Sequence, residues 1–223
     1  MEIKNFKAIH DKELILEFIE EGEHENQDFK YSISDSRKIA RSISAFANNS
    51  GGRLLVGVKD NGNIAGIRNE EEFYMIEQAA EMYCKPAQKV GQKLYCAEGK
   101  YVLLVSIVKS DVPVLAQDDD RKWRAYYRIK DENIQVPDLM LRVWNTRRKK
   151  NALLHFSETE ARLVDFVVRK KAASIVDIAK SLHISMAFTE STVVTLCAFG
   201  VLDFAYDGAQ WQIVALRDSI QDK

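Results

Sequence analysis

Residues 39–66, IARSISAFANNSGGRLLVGVKDNGNIAG, constrain the fold more than any other stretch of the chain. Ile39, Ile43, Phe46 and Ala47 recur at three- and four-residue spacing, so they form the inward face of a helix. Asn48, Asn49, Gly51 and Gly52 break that pattern and end the helix. The run Leu54, Leu55, Val56, Gly57, Val58 is short and lacks polar alternation, which fits a strand covered on both faces. Asn61-Gly62 then supplies the positive φ values of a tight turn, which predicts that residues 64–67 return antiparallel to that strand.

Around this unit the pattern is mixed. Leu14, Ile15, Phe18 and Ile19 make 12–21 an amphipathic helix that stops at Gly22. Residues 28–33 read as a short strand, and Ser34 or Asp35 caps the helix that follows. Phe73, Ile76, Ala79, Ala80 and Tyr83 predict a helix over 70–84, closed by Lys85-Pro86. Strands are expected over 88–97, 101–109, 112–116 and 122–130, the last two separated by the acidic loop Asp118 to Asp120. This order is that of an α+β domain. Pro137 opens a further helix that runs to the basic stretch Arg147-Arg148-Lys149-Lys150, read as a linker.

Beyond it, Ser157-Glu158-Thr159-Glu160 is a capping box at the start of the first of three helices, followed by a hairpin over 201–214 with Asp207-Gly208 at its turn. Three helices and a hairpin, with IVDIAKSLHIS at the centre, resemble a winged helix-turn-helix. The expected domains are therefore 1–150 and 151–223.

Composition excludes several classes. No apolar run approaches the roughly 20 residues of a membrane span, and MEIKNFKAIHDKE lacks the apolar segment of a secretory signal, so a cytoplasmic protein without a membrane partner is expected. Three widely spaced cysteines, Cys84, Cys96 and Cys197, argue against a zinc site or a disulfide framework. The net charge is -1, and residues 151–223 hold seven Lys/Arg against nine Asp/Glu. Any nucleic-acid binding must therefore come from local patches and not from the mean field.

The segment AFANNSGGRLLVGVKDNGNIAG resembles the central motif of the Schlafen/AlbA-like DNA-binding domain family, in which AFANT-x-GG precedes a buried strand and GV-x-D-x-G-x-(I/V)-x-G closes it. Upstream, GEHENQDFK at 22–30 is similar to that family's G-E-(S/T)-x-x-x-E-F-K. The resemblance covers 10–150. It implies a mixed sheet with packed helices, a DNA-binding transcriptional regulator as the function, DNA or RNA as partner, and a homodimer that rebuilds a two-lobed basic groove.

Three acids stand at family positions. In nuclease relatives, carboxylates at the places of Glu23, Asp28 and Asp60 cooperate in cutting RNA, so the resemblance implies a metal site and a metal-dependent endoribonuclease as the alternative function. Hard oxygen ligands of this kind would hold Mg²⁺ or Mn²⁺, which neutralises a phosphate and orients a water; binding alone would need no cofactor. Asp28 stands where the family has Glu and is one methylene shorter. The competing structural reading pairs Asp28 with Lys30 and leaves Asp60 to shape its turn.

For binding, the stretch 121–130 alternates, with Trp123, Ala125, Tyr127 and Ile129 on one face and Arg124, Tyr126, Arg128 and Lys130 on the other. The second face is expected at the surface, its cations on phosphates and its tyrosine on a base. Lys30, Arg147 and Arg148 would extend it. In the C-terminal module, the helix over 187–199 contains no Lys or Arg, so a protein-interaction role competes with duplex reading there.

Overall fold

The helix, Gly-Gly corner and buried strand lie at the centre of the first of two units, Met1–Gln135 and Val136–Lys223. The computed structural model describes residues 7–148 and 156–216. The first unit runs α1 (Lys12–Glu21), β1 (Gln27–Lys30), α2 (Ser36–Asn48), β2 (Gly52–Val56), α3 (Glu71–Met82), β3 (Cys84–Lys85), β4 (Val90–Ala97), β5 (Lys100–Ile107), β6 (Leu115–Gln117), β7 (Trp123–Ile129) and β8 (Glu132–Gln135). These strands form two four-stranded sheets, in the orders β1-β2-β5-β4 and β3-β6-β7-β8. Only β1 and β2 pair in parallel; the remaining ladders are antiparallel.

The layers follow from which side chains share a core. Leu54 and Val56 of β2 pack with Ile39, Ile43 and Phe46 of α2, and Ala116 and Tyr126 of the second sheet join the same core. Leu55 points the other way, into a second core with Ile15 of α1, Phe29 and Tyr95. All three β2 residues are 0% exposed, as expected for a strand covered on both sides. Burial of each contributes roughly 1.5–3 kcal/mol. Helix α2 is thus clasped between the two sheets and is buried nearly all round, from Ser36 to Ala47.

A polar clasp holds the second sheet to α2. Asn48 donates from Nδ2 to the carbonyls of Val114 and Tyr126, at 2.8 and 2.9 Å, and its Oδ1 accepts from Val114 N at 2.8 Å. Ser44 Oγ donates to the same Val114 carbonyl, and Asn49 Nδ2 to the carbonyl of Arg128. The corner then demands glycine. Gly51 has φ +79°, and a Cβ at Gly52 would meet the Phe46 ring and stand 2.8 Å from the Asn26 carbonyl oxygen.

The expected return of 64–67 along β2 is reduced to a single bridge, Val58 to Ile64. Both edges of β2 are already taken by β1 and β5, so the chain crosses over, and Ile67 N donates to Tyr101 O beside β5. Strands β3 and β8 of the second sheet, of two and four residues, are absent from the sequence reading.

The second unit contains α4 (Asp138–Arg147), α5 (Glu158–Lys170), α6 (Ile175–Leu182), α7 (Met186–Ala198) and an antiparallel hairpin of β9 (Leu202–Tyr206) and β10 (Trp211–Ala215). Ser157 and Glu160 form the capping box read from the sequence. Val143 of α4 belongs to the same core as Leu163, Ile178, Val193, Leu196 and Ile213. The units accordingly part before α4, at 135/136, whereas the basic run suggested 150. Lys149 and Lys150 lie outside the described residues. Among the described residues no helix is long and apolar enough to cross a membrane.

Candidate nucleic-acid interface

The structure brings two of the three acids together. Glu23 Oε1 accepts from Phe29 N at 2.8 Å, and its carboxyl also bonds the side chain of Asp28. Burial, and then that bond, hold Glu23 above the usual carboxylate range. Asp28 is 3% exposed. Lys30 Nζ lies 2.6 Å from its Oδ2, close enough for an ion pair although not aligned as a hydrogen bond, and Arg128 Nη2 lies 3.3 Å from its Oδ1. Two cations thus occupy the carboxylate that a metal would need.

Asp60 is exposed in the turn after Val58. Among the described residues, no group of three or more His, Cys, Asp or Glu could hold a metal ion. The three-carboxylate site is therefore corrected to a pair, Glu23 and Asp28, whose charge is matched from within the protein. The residues present do not fit the implied ion. Burial pushes the Cys84 and Cys197 thiols each up to about 12, so neither of these two supplies a ready thiolate.

The basic strand face also needs correction. In β7 the face expected outside is the one turned in: Arg128 and Tyr126 are buried and Arg124 is half-buried, whereas on the opposite face Trp123 is exposed and small Ala125 is covered. Arg128, 1% exposed, is the largest of the fully buried side chains. Its guanidinium lies 5.1 Å from the Phe46 ring centroid, donates to Asn133 Oδ1 at 3.0 Å and to the carbonyls of Gln27 and His24, and pairs with Asp28. Tyr126 is 8% exposed. Arg124 donates from Nε to Asp118 Oδ2 at 2.5 Å and from Nη1 to Gln135.

The other predicted contacts divide the same way. Lys30 is on Asp28, and Arg147 donates to Cys197 O and approaches Asp203 at 3.5 Å. Lys130 and Arg148 are exposed. In α7, Thr189 and Thr192 are buried, and Glu190 pairs with Arg142 at 2.9 Å, so that helix offers Met186 and Phe188 to solvent.

Two clusters that sequence reasoning missed have the opposite character. At the ends of the parallel strands, Arg68 Nη2 donates to Tyr31 Oη at 2.8 Å with its guanidinium 5.0 Å from the ring centroid, and Lys59 Nζ lies 5.6 Å from the same ring. Tyr31 is 43% exposed. The Arg68 contact lowers the Tyr31 hydroxyl below its ordinary range. Among the described residues, neither Arg68 nor Lys59 forms an ion pair. By contrast Arg41, Arg53, Arg124 and Arg128 each sit on an acid. The second cluster surrounds Trp123, with Lys85 Nζ 5.9 Å from its ring and Arg121 and Lys122 exposed beside it. Spacing could not have joined Tyr31 to Lys59 and Arg68, or Lys85 to Trp123, because each pair meets only through sheet pairing.

A glycine-cornered helix clasped between a mixed sheet and an antiparallel one, preceded by the Glu23 to Lys30 segment, defines an α+β domain in which Asp28 and Arg128 are turned inward. The Schlafen, AlbA_2 family matches residues 23–137, just over half of the chain, and the chain belongs to that family. Two solved structures are similar. The DIP2311 protein of Corynebacterium diphtheriae is 18% identical with a TM-score of 0.43, over 66% of this chain and 30% of that one. The N-terminal domain of a RecG-related protein from Nitrosomonas europaea is 19% identical with a TM-score of 0.37, over 67% of this chain and 99% of that one. The chain thus spans under a third of the DIP2311 protein. No curated protein matches it.

Proposed function

We propose that the chain is a nucleic-acid-binding protein of the cytoplasm, acting as a DNA-binding transcriptional regulator, and that the Tyr31, Lys59 and Arg68 cluster contacts the phosphate backbone. One observation carries the reading. Two exposed cations rest on one exposed aromatic ring and, among the described residues, neither forms an ion pair, whereas Arg41, Arg53, Arg124 and Arg128 each sit on an acid; buried Glu72 accepts from the Arg68 backbone N–H at 3.1 Å and acts on the guanidinium only through space. A cation held by a ring keeps its charge for a phosphate and loses little rotamer freedom on binding. Asp60 beside Lys59 lowers the net charge of the patch, so binding is expected to be moderate and strongly salt-dependent.

The second unit serves protein contact in this reading, with a second copy as partner. Its α7 has no cation for duplex DNA but exposes Met186 and Phe188. Sedimentation at micromolar concentration should then give twice the chain mass.

The test of the interface is anisotropy with labelled DNA and RNA across a salt series. The double variant Lys59→Ala/Arg68→Ala should bind roughly tenfold more weakly, and the slope of log affinity against log salt should shrink by roughly 1.4 to 1.8. Unchanged affinity and slope would overturn the assignment.

A further inference from the structure

We infer that Trp123 is a stacking platform for an unpaired base, so that the first unit takes single-stranded nucleic acid in preference to duplex. This rests on the nucleic-acid reading above but uses a separate surface. Trp123 opens β7, pairs across the ladder with Gln117, and is 38% exposed. Lys85, from β3 at the edge of the same sheet, lies over its ring. Arg121 and Lys122 immediately precede it in the chain, both are exposed, and among the described residues neither forms an ion pair.

The acidic loop Asp118 to Asp120 would be expected to cancel these charges. It does not, because two of its three carboxylates are taken from beneath: Asp118 by Arg124 at 2.5 Å and Asp119 by Arg41 at 2.7 Å. Backbone N–H donation from Lys122, together with Arg124, outweighs desolvation and holds Asp118 below its usual range. Asp120 alone remains against Lys85, Arg121 and Lys122, so the surface around the indole is positive. The inward turn of Arg124 therefore has a use: it absorbs Asp118, as Arg41 of α2 absorbs Asp119, and the outward tryptophan keeps cations free around it. An exposed indole among unpaired cations offers a π-face to a base and charges to the phosphates on either side, which a base locked in a duplex stack cannot exploit.

The experiment compares a 20-nucleotide single strand, its blunt duplex, and the same strand with a central run of abasic sites, on wild type, Trp123→Ala and Trp123→Phe. Wild type should prefer the single strand, and Trp123→Ala should lose roughly five- to hundredfold of that affinity, with duplex binding within about twofold of wild type. Trp123→Phe should recover most of the loss, and the abasic strand should bind wild type about as weakly as the normal strand binds Trp123→Ala. Circular dichroism establishes that the variants fold. Unchanged single-strand affinity in Trp123→Ala, or equal loss on both polymers, would overturn this inference and leave the nucleic-acid reading standing. Failure of wild type to bind any of the three would remove both.

Discussion

Arg128 shows how a single residue can mislead a pattern and hold a fold. It occupies a position that alternation marks as solvent-facing, yet it is buried against Phe46 and Asp28 and bonded to Asn133 and two carbonyls. A buried charge is tolerated only when it is paired and its donors are satisfied, and here both conditions hold. Replacing Arg128 by Ala would leave Asp28 without one of its two cations in a nearly dry site, so we expect a loss of about 3–5 kcal/mol in urea denaturation. Arg128→Lys should recover only part, since an ammonium cannot reproduce the fork of donors. A loss below about 1 kcal/mol would show that the pair with Asp28 matters little. The sequence could show that residues 121–130 alternate but not which face was inside, because the partners that make an arginine acceptable indoors, Asp28 and Asn133, come from other strands. Lys30 differs: its acid is two residues away, and that pairing was legible.

At the scale of elements, the part of the fold that could be read was the part with local causes. Helix α2 and strand β2 follow from periodicity and from the two glycines, and the Ser157 box from short-range capping chemistry. Strands β3 and β8, of two and four residues, have no periodicity to detect and exist because neighbours offer an edge. The same division explains Asn48. Within the motif it reads as a helix stop, whereas in three dimensions its amide bridges α2 to Val114 and Tyr126. Asn48→Ala should strand those groups and lower stability by about 1–3 kcal/mol. The effect should be largest in amide exchange of the second sheet, while β2 and β5 keep most of their protection. Uniform loss of protection over both sheets would show that the clasp is not local.

For the whole molecule, the assignment of α4 is the point that experiment can decide. Val143 is 1% exposed in the core of the second unit, with Leu139 packed on the same cluster. A fragment of residues 136–223 should therefore unfold cooperatively, and one of residues 151–223 should be less stable by about 3 kcal/mol or more, the cost of removing large apolar side chains from a core. Equal melting of the two fragments would place α4 outside that core. The basic run looked like a boundary because charge marks solvent; its first residue, Arg147, instead closes the last turn of a helix whose other face is buried.

The Asn-Asn-Ser-Gly-Gly corner has a consequence for recognising relatives. Its side chains and its missing side chains are consumed in keeping a helix wedged between two sheets, so a chain that carries it declares a chassis and is silent about cargo. What such a chassis grips is written on its rim, at positions such as Arg68 and Trp123, and comparing rims is how chains with the same corner would be sorted by activity.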